Sequence, residues 1–177
     1  CNAPGAKGDQ CEVCGRTLAP LELVDPVCEL CGSRPEPRET KHWYLKLGDF
    51  QKQLEEWLAT KEGWRENVGR FCKGWFKEGL GSRSIPRDIS WGIPVPLEEA
   101  EGKVLYVWFD APIGYISFTQ ELFAARGDAG GWERYWSDPE SAVVHFIGKD
   151  NIVFHAIIWP AMLMGHGGFN LPSNVVA

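Results

Sequence analysis

The chain has 177 residues, 44% of them hydrophobic, with a formal net charge of -6 and a pI near 5.3. That apolar content over this length excludes a disordered tail and allows one domain with a smaller lobe. The acidic balance excludes a surface built mainly to hold phosphate backbones, which presents clustered Lys and Arg, and no stretch reaches the roughly 18 consecutive apolar residues of a membrane span.

The start, Cys1-Asn-Ala-Pro-Gly5, has neither the charged region nor the apolar core of a signal peptide, so a soluble cytoplasmic protein without membrane attachment is expected. No initiator methionine precedes Cys1, and Asn174-Val-Val-Ala177 reads as the opening of a strand. The chain is therefore expected to be an internal fragment of a longer protein.

Residues 1–38 are rich in Cys, Gly and Pro and poor in periodic apolar positions, which predicts a lobe held by metal. Cys11-Glu-Val-Cys14-Gly and Cys28-Glu-Leu-Cys31-Gly are two C-x-x-C-Gly elements, each able to present two thiolates from one turn, with residues 15–27 between them. Disulfides are disfavoured without a secretory signal, and buried free thiols are disfavoured in so polar a segment. The spacing therefore predicts structural zinc, with Cys1 as a spare ligand; four thiolates leave no position open for a reacting water. Cys72, on an apolar helical face, is expected to be core.

From residue 39 to about 100 the chain is expected to complete this insertion and return to a sheet. His42 to Leu47 alternates as a short strand, and Asp49 is placed to cap a helix presenting Phe50, Leu54, Trp57 and Leu58 on one face. A second helix carries Val68, Phe71, Cys72, Trp75 and Phe76 and ends at Gly79. Arg87-Asp-Ile-Ser-Trp-Gly-Ile-Pro-Val-Pro96 is too punctuated for regular structure and reads as a packed return loop.

Residues 101–177 carry two strand-to-helix junctions. Val104 to Phe109 reads as a buried strand, with Asp110 as cap and Pro112 in the first turn of a helix through Ile116, Thr119, Leu122 and Phe123. Gly127–Gly131 reads as a loop, and Trp132–Trp136 as a short helix. Val143 to Ile147 reads as a second strand, Gly148 as a turn, and Asp150 as the cap of a helix through Phe154, His155 and Trp159. An α/β fold with a parallel sheet follows, with ligands expected at the carboxyl ends of its strands. Trp108, Tyr115, Phe154, His155 and Trp159 are then placed to line one apolar cavity, although any one of them alone is an ordinary core aromatic. Gly148-Lys149-Asp150 offers a lysine and an aspartate at a strand end, suited to phosphate and ribose groups.

Trp108 to Ser117 (Trp-Phe-Asp-Ala-Pro-Ile-Gly-Tyr-Ile-Ser), His145 to His155 with Trp159-Pro-Ala161 following, Arg87 to Pro96, and Gly8 to Gly15 together resemble the methionyl-tRNA synthetases in their archaeal and eukaryotic-like form. The resemblance implies the connective zinc insertion and the second half of a class I Rossmann-type catalytic domain. It also implies ATP-dependent activation of methionine to methionyl-adenylate, then transfer to tRNA(Met), with Mg accompanying the ATP. The family's methionine-pocket positions fall on Trp108, Ala111, Pro112, Tyr115, Asn151 and His155, and its adenosine positions on Gly148, Lys149 and Asp150. Asn151 differs from the apolar residue of bacterial relatives.

For the metal, the resemblance implies two interleaved sites. Cys11 and Cys14 join an upstream pair ending at Cys1, and Cys28 and Cys31 join cysteines further upstream; one shared ion on Cys11, Cys14, Cys28 and Cys31 is the alternative. The family's His-x-Gly-His element and Lys-rich loop are absent from this sequence, and Gly165-His-Gly-Gly168 does not replace the former. These supply charge to the transition state, so the 177-residue chain alone is expected to be inactive in methionine-dependent pyrophosphate exchange. No nucleophile set is needed, because the substrate carboxylate attacks; His42 and His166 are expected to be structural or surface residues.

Two other readings compete. A zinc-ribbon adaptor for nucleic acid or protein predicts zinc without a small-molecule pocket, while another class I synthetase of the same subclass shares the sheet but not Ala-Pro-Ile-Gly-Tyr and the knuckles.

Overall fold

The structure, a computed structural model, describes residues 2–6, 8, 11, 13 and 18–177 and divides into two units, residues 1–41 and 42–177. Cys1 and Cys14 lie outside the described residues.

In the first unit a short 3-10 turn spans Pro20–Glu22, where the Ala19 amide donates to Glu22 Oε2 at 2.8 Å. Cys28 to Ser33 closes on itself: the Gly32 amide donates to the Cys28 carbonyl and the Cys28 amide to the Ser33 carbonyl, both at 2.8 Å. Gly32 takes φ +71, a left-handed conformation that costs glycine little.

The second unit begins with β1 (Tyr44–Leu45), shorter than the alternation of residues 42–47 predicts. A 3-10 turn at Leu47–Phe50 leads directly into α1 (Gln51–Ala59), so Asp49 sits inside that turn and makes no side-chain cap. Helix α2 (Glu66–Glu78) follows and ends at Gly79, φ +83, as its sequence predicts. Strand β2 (Arg83–Ser84) pairs antiparallel with β1, and β3 (Pro86–Arg87) pairs antiparallel with β4 (Val104–Leu105).

The predicted strand over 104–109 is therefore only two residues long. Its partner chain explains why: Pro86 and Arg87 take up Leu105 and Val104, but Ser84 and Arg83 are already committed to β1. Residues beyond Tyr106 have no ladder to join and close local bonds instead, with the Phe109 amide on the Tyr106 carbonyl and the Ala111 amide on the Val107 carbonyl, both at 2.8 Å. This is α3 (Val107–Asp110), so Asp110 ends a helical turn and does not cap the next helix, α4 (Ile113–Ala125), which Pro112 precedes.

The segment between β3 and β4 is exposed, not packed: Ile89, Trp91 and Ile93 are 56%, 82% and 57% exposed. It returns through a bridge from Pro94 to Val104, and the Arg87 guanidinium lies 3.9 Å from the Tyr106 ring centroid, within cation–π range.

After α5 (Glu133–Trp136), β5 (Val144–Phe146) pairs in parallel with β6 (Asn174–Val176). Between these strands the chain is helical from Lys149 to His166: a 3-10 turn at Lys149–Asn151, a π-helical turn at Phe154–Ile158, and α6 (Trp159–His166). Gly148 occupies the N-cap with no side-chain cap, so Asp150 lies within the first turn.

Leu54 of α1 and Val68, Cys72 and Phe76 of α2 bury one face against Ile152, Val153, Ala156, Ile157 and Val175. Gln51 fastens the two helices, donating to the Phe76 carbonyl at 3.0 Å and accepting from the Leu80 amide at 2.9 Å. Cys72 is fully buried as expected, and burial pushes its thiol pKa up to about 12. No helix among the described residues is long and apolar enough to cross a membrane.

Candidate functional site

Three elements bring polar rings together on one side of the β5–β6 pair. A helical side chain reaches toward the preceding turn, and His155 does so: its Nδ1 lies 3.0 Å from the Asn151 carbonyl. A carbonyl only accepts, so Nδ1 carries the proton and Nε2 of the neutral ring accepts. Tyr115 of α4 is the donor to Nε2, its hydroxyl 2.9 Å from that nitrogen. His155 is 6% exposed, and burial holds its pKa below the ordinary histidine value. Ring, carbonyl and hydroxyl thus form one directed chain, in which the tyrosine oxygen keeps its lone pairs for a further group.

The π-helical turn explains how a buried segment carries such a site. Ala156, Ile157 and Ile158 are buried in the core, while Phe154 and His155 face α3 and α4. Phe154 stacks on Trp108 at 5.5 Å and 25° between planes. Trp108 is 46% exposed and Tyr115 40%. Where the sequence predicts one apolar cavity, these aromatics form an open shelf. Trp159, expected on the same wall, packs elsewhere with Ile116, Trp136 and Leu163.

Ala111 is exposed and Pro112 buried, and their carbonyls accept the amides of Gly114 and Tyr115 at the start of α4. Asn151 is half-buried at the end of the 3-10 turn, where its backbone amide donates to the Gly148 carbonyl at 2.9 Å and its carbonyl accepts from His155 Nδ1. Gly148, Lys149 and Asp150 are exposed directly after β5, at the carboxyl end of the parallel pair.

Two groups escape the sequence reading. His145 of β5 is 6% exposed, with its ring 5.0 Å from that of His155 and 5.2 Å from that of Tyr115. The signal for it was the strand alternation, in which Val144 and Phe146 face out and the residue between them must face in. Asp110 has Oδ1 buried without a hydrogen-bond partner among the described residues, and burial raises its carboxyl pKa. Its place at the end of α3 follows from the shortened strand.

In the first unit Cys28 is half-buried and Cys31 exposed, with Cys31 Sγ 2.9 Å from Ser33 Oγ. Hydrogen bonding from Ser33, and then from Cys28, lowers the Cys31 thiol pKa. A turn that favours thiolate beside a second thiol fits half of a tetrahedral zinc site. Cys11 is buried in the same unit, and among the described residues no three candidate ligands converge.

Known proteins place this geometry in context. The family model described as tRNA synthetases class I (M) matches residues 1–177. The methionine–tRNA ligase of Phocaeicola vulgatus is 56% identical over 176 residues, covering 99% of this chain and 25% of that protein. The methionine–tRNA ligase of Salinibacter ruber is 53% identical over 184 residues, covering the whole chain and 26% of that protein. The chain thus spans about a quarter of these relatives. Among solved structures, Mycobacterium tuberculosis methionyl-tRNA synthetase in complex with methionyl-adenylate superposes with a TM-score of 0.69 at 27% identity, over 92% of this chain and 31% of that one. Its apo form gives 0.66 at 28% identity, over 85% and 29%.

Proposed function

Since this chain belongs to the class I tRNA synthetases of the methionine type, we propose that its protein activates methionine with ATP and passes the methionyl group to tRNA(Met). In the first step a methionine carboxylate oxygen bonds the α-phosphorus of ATP and pyrophosphate leaves. In the second, a hydroxyl of the terminal ribose takes the methionyl carbonyl and AMP leaves. The observation that carries this reading is the Tyr115–His155 hydrogen bond beside the Trp108–Phe154 stack.

A methionine side chain suits that shelf. Its polarizable sulfur gains about 0.3–1.5 kcal/mol at an aromatic edge, and the polar end formed by Tyr115 and His155 separates sulfur from a plain methylene. Trp108, Ala111, Pro112, Tyr115, Asn151 and His155 are assigned to the methionine side chain. Gly148, Lys149 and Asp150, at the end of β5, are assigned to the adenosine, with Mg²⁺ accompanying ATP. A zinc-ribbon adaptor has no need of the directed chain from Asn151 to Tyr115. A cytoplasmic location goes with the proposed activity.

The first unit is proposed to hold structural zinc through Cys28 and Cys31, with Cys11, Cys14 and Cys1 as further ligands. Zinc-held folds lose much of their stability without metal, so chelation is expected to release zinc and expose residues 1–41 to protease while residues 42–177 stay protected. Equal protection of both units after complete metal removal would contradict the zinc assignment.

Calorimetric titration of the intact protein with methionine, leucine and isoleucine tests the substrate. Methionine is expected to bind at least about tenfold tighter than either, a difference of about 1.4 kcal/mol. Trp108→Ala and His155→Ala are expected to erase most of that margin. Equal affinity for all three amino acids would overturn the assignment.

A further inference from the structure

The strand residue His145 lies against both members of the polar pair. Its ring meets His155 edge-on, centroids 5.0 Å apart at 62°, and Tyr115 tilted, 5.2 Å apart at 44°. The Tyr115 and His155 rings are themselves 5.8 Å apart. The three rings come from three elements: β5, the π-helical turn and α4. Of these, only β5 is pinned by the parallel ladder, with His145 registered opposite Val175.

We infer that His145 is a positioning residue for methionine recognition: its flat ring, fixed on β5, wedges the His155 and Tyr115 rings into the orientation in which the tyrosine hydroxyl donates to His155. This inference rests on the function proposed above. His145 Nε2 is buried with no hydrogen-bond partner among the described residues, and its contacts with Tyr115 and His155 are ring against ring. Burial first, and the neighbouring His155 second, lower its pKa to about 4, which keeps that ring uncharged at neutral pH. A neutral aromatic ring of similar size should therefore replace it.

His145→Phe and His145→Ala in the intact protein test the inference. With alanine, KM for methionine is expected to rise about tenfold while kcat changes less than twofold, since the side-chain placement that is lost serves ground and transition state alike. Histidine nitrogen spectra of the ligand-free protein should lose the single Nδ1-protonated form of His155. Phenylalanine should restore both. Should the alanine variant fail to fold, His145→Leu, which fills the position without a flat face, carries the same expectation. A lowered melting temperature with unchanged KM and unchanged His155 signals would overturn the inference, as would phenylalanine behaving like alanine. If His155 responds as expected but the unsubstituted protein shows no methionine-dependent pyrophosphate exchange, the positioning stands and the proposed function falls.

Discussion

Ile157→Ala is expected to lower the stability of this protein by about 2–5 kcal/mol, the range for truncating a fully buried aliphatic side chain into a cavity. Ile157 is 0% exposed and lies in the cluster joining Leu54 of α1, Val68 and Cys72 of α2 and Val175 of β6. Its neighbours in the helix, Ala156 and Ile158, are also buried, and β6 presses from the strand side, so little can relax into the space. The consequence reaches the site because the same π-helical turn holds Phe154 and His155 on its other side. Denaturant unfolding of the variant should show a lower midpoint with an unchanged slope, which marks a loss of stability without a change in compactness. Phe146→Ala, at a position 79% exposed, should shift stability by less than about 0.5 kcal/mol. Similar losses for the two variants would contradict this description of the core.

Acid is expected to destabilise the protein through the same ring cluster. The His145 pKa is lowered to about 4 in the fold, and that of His155 is lowered as well. Unfolded histidine titrates near 6.5, so between about 6.5 and 4 the unfolded chain binds more protons and stability falls as pH falls. Above about 6.5 both states are neutral and this contribution is complete and flat. The loss approaches about 2 kcal/mol for His145, after allowance for the screening that partial solvent access brings. Melting temperatures between pH 7.5 and pH 4.5, compared with those of His145→Phe, isolate the histidine from the carboxylates that titrate in the same range. The variant should decline less steeply. Parallel curves would show that His145 does not resist protonation.

The helices were the most legible part of the sequence. In α2, Val68, Cys72 and Phe76 recur at helical spacing, and Gly79 sits where a positive φ ends the helix. These signals are local, and tertiary packing agrees with them. Strand lengths were not legible, because the extent of a strand depends on what its partner is doing. Val104 to Phe109 is apolar enough for a full strand, but the Arg83–Ser84 pairing with β1 stops the ladder and turns the rest into α3. The same event moved Asp110 from a cap to a helix end, and the exposed return segment likewise depends on contacts that local sequence does not encode.

The cap positions of Asp49 and Asp150 also read differently in the fold. Short 3-10 turns begin both helical segments, closed by the Asp49 amide on the Lys46 carbonyl and the Asn151 amide on the Gly148 carbonyl, with no side-chain cap at either start. Of the ring cluster, Tyr115 and His155 were legible as rings lining one cavity and through the family resemblance, and the structure joins them at 2.9 Å. His145 was hidden because a histidine in a three-residue strand looks like ordinary packing until its neighbours are known. The role of the π-helical turn, burying one side and presenting the other, has no local sequence signature.

In the proposed function Tyr115 and His155 act as one unit toward a methionine side chain. Methionine affinity measured for the intact protein, Tyr115→Phe, His155→Ala and the double variant tests this directly. A coupling energy of about 1–2 kcal/mol is expected, so that the second substitution costs much less once the first is made. Strictly additive losses, or affinities unchanged by either substitution, would contradict it.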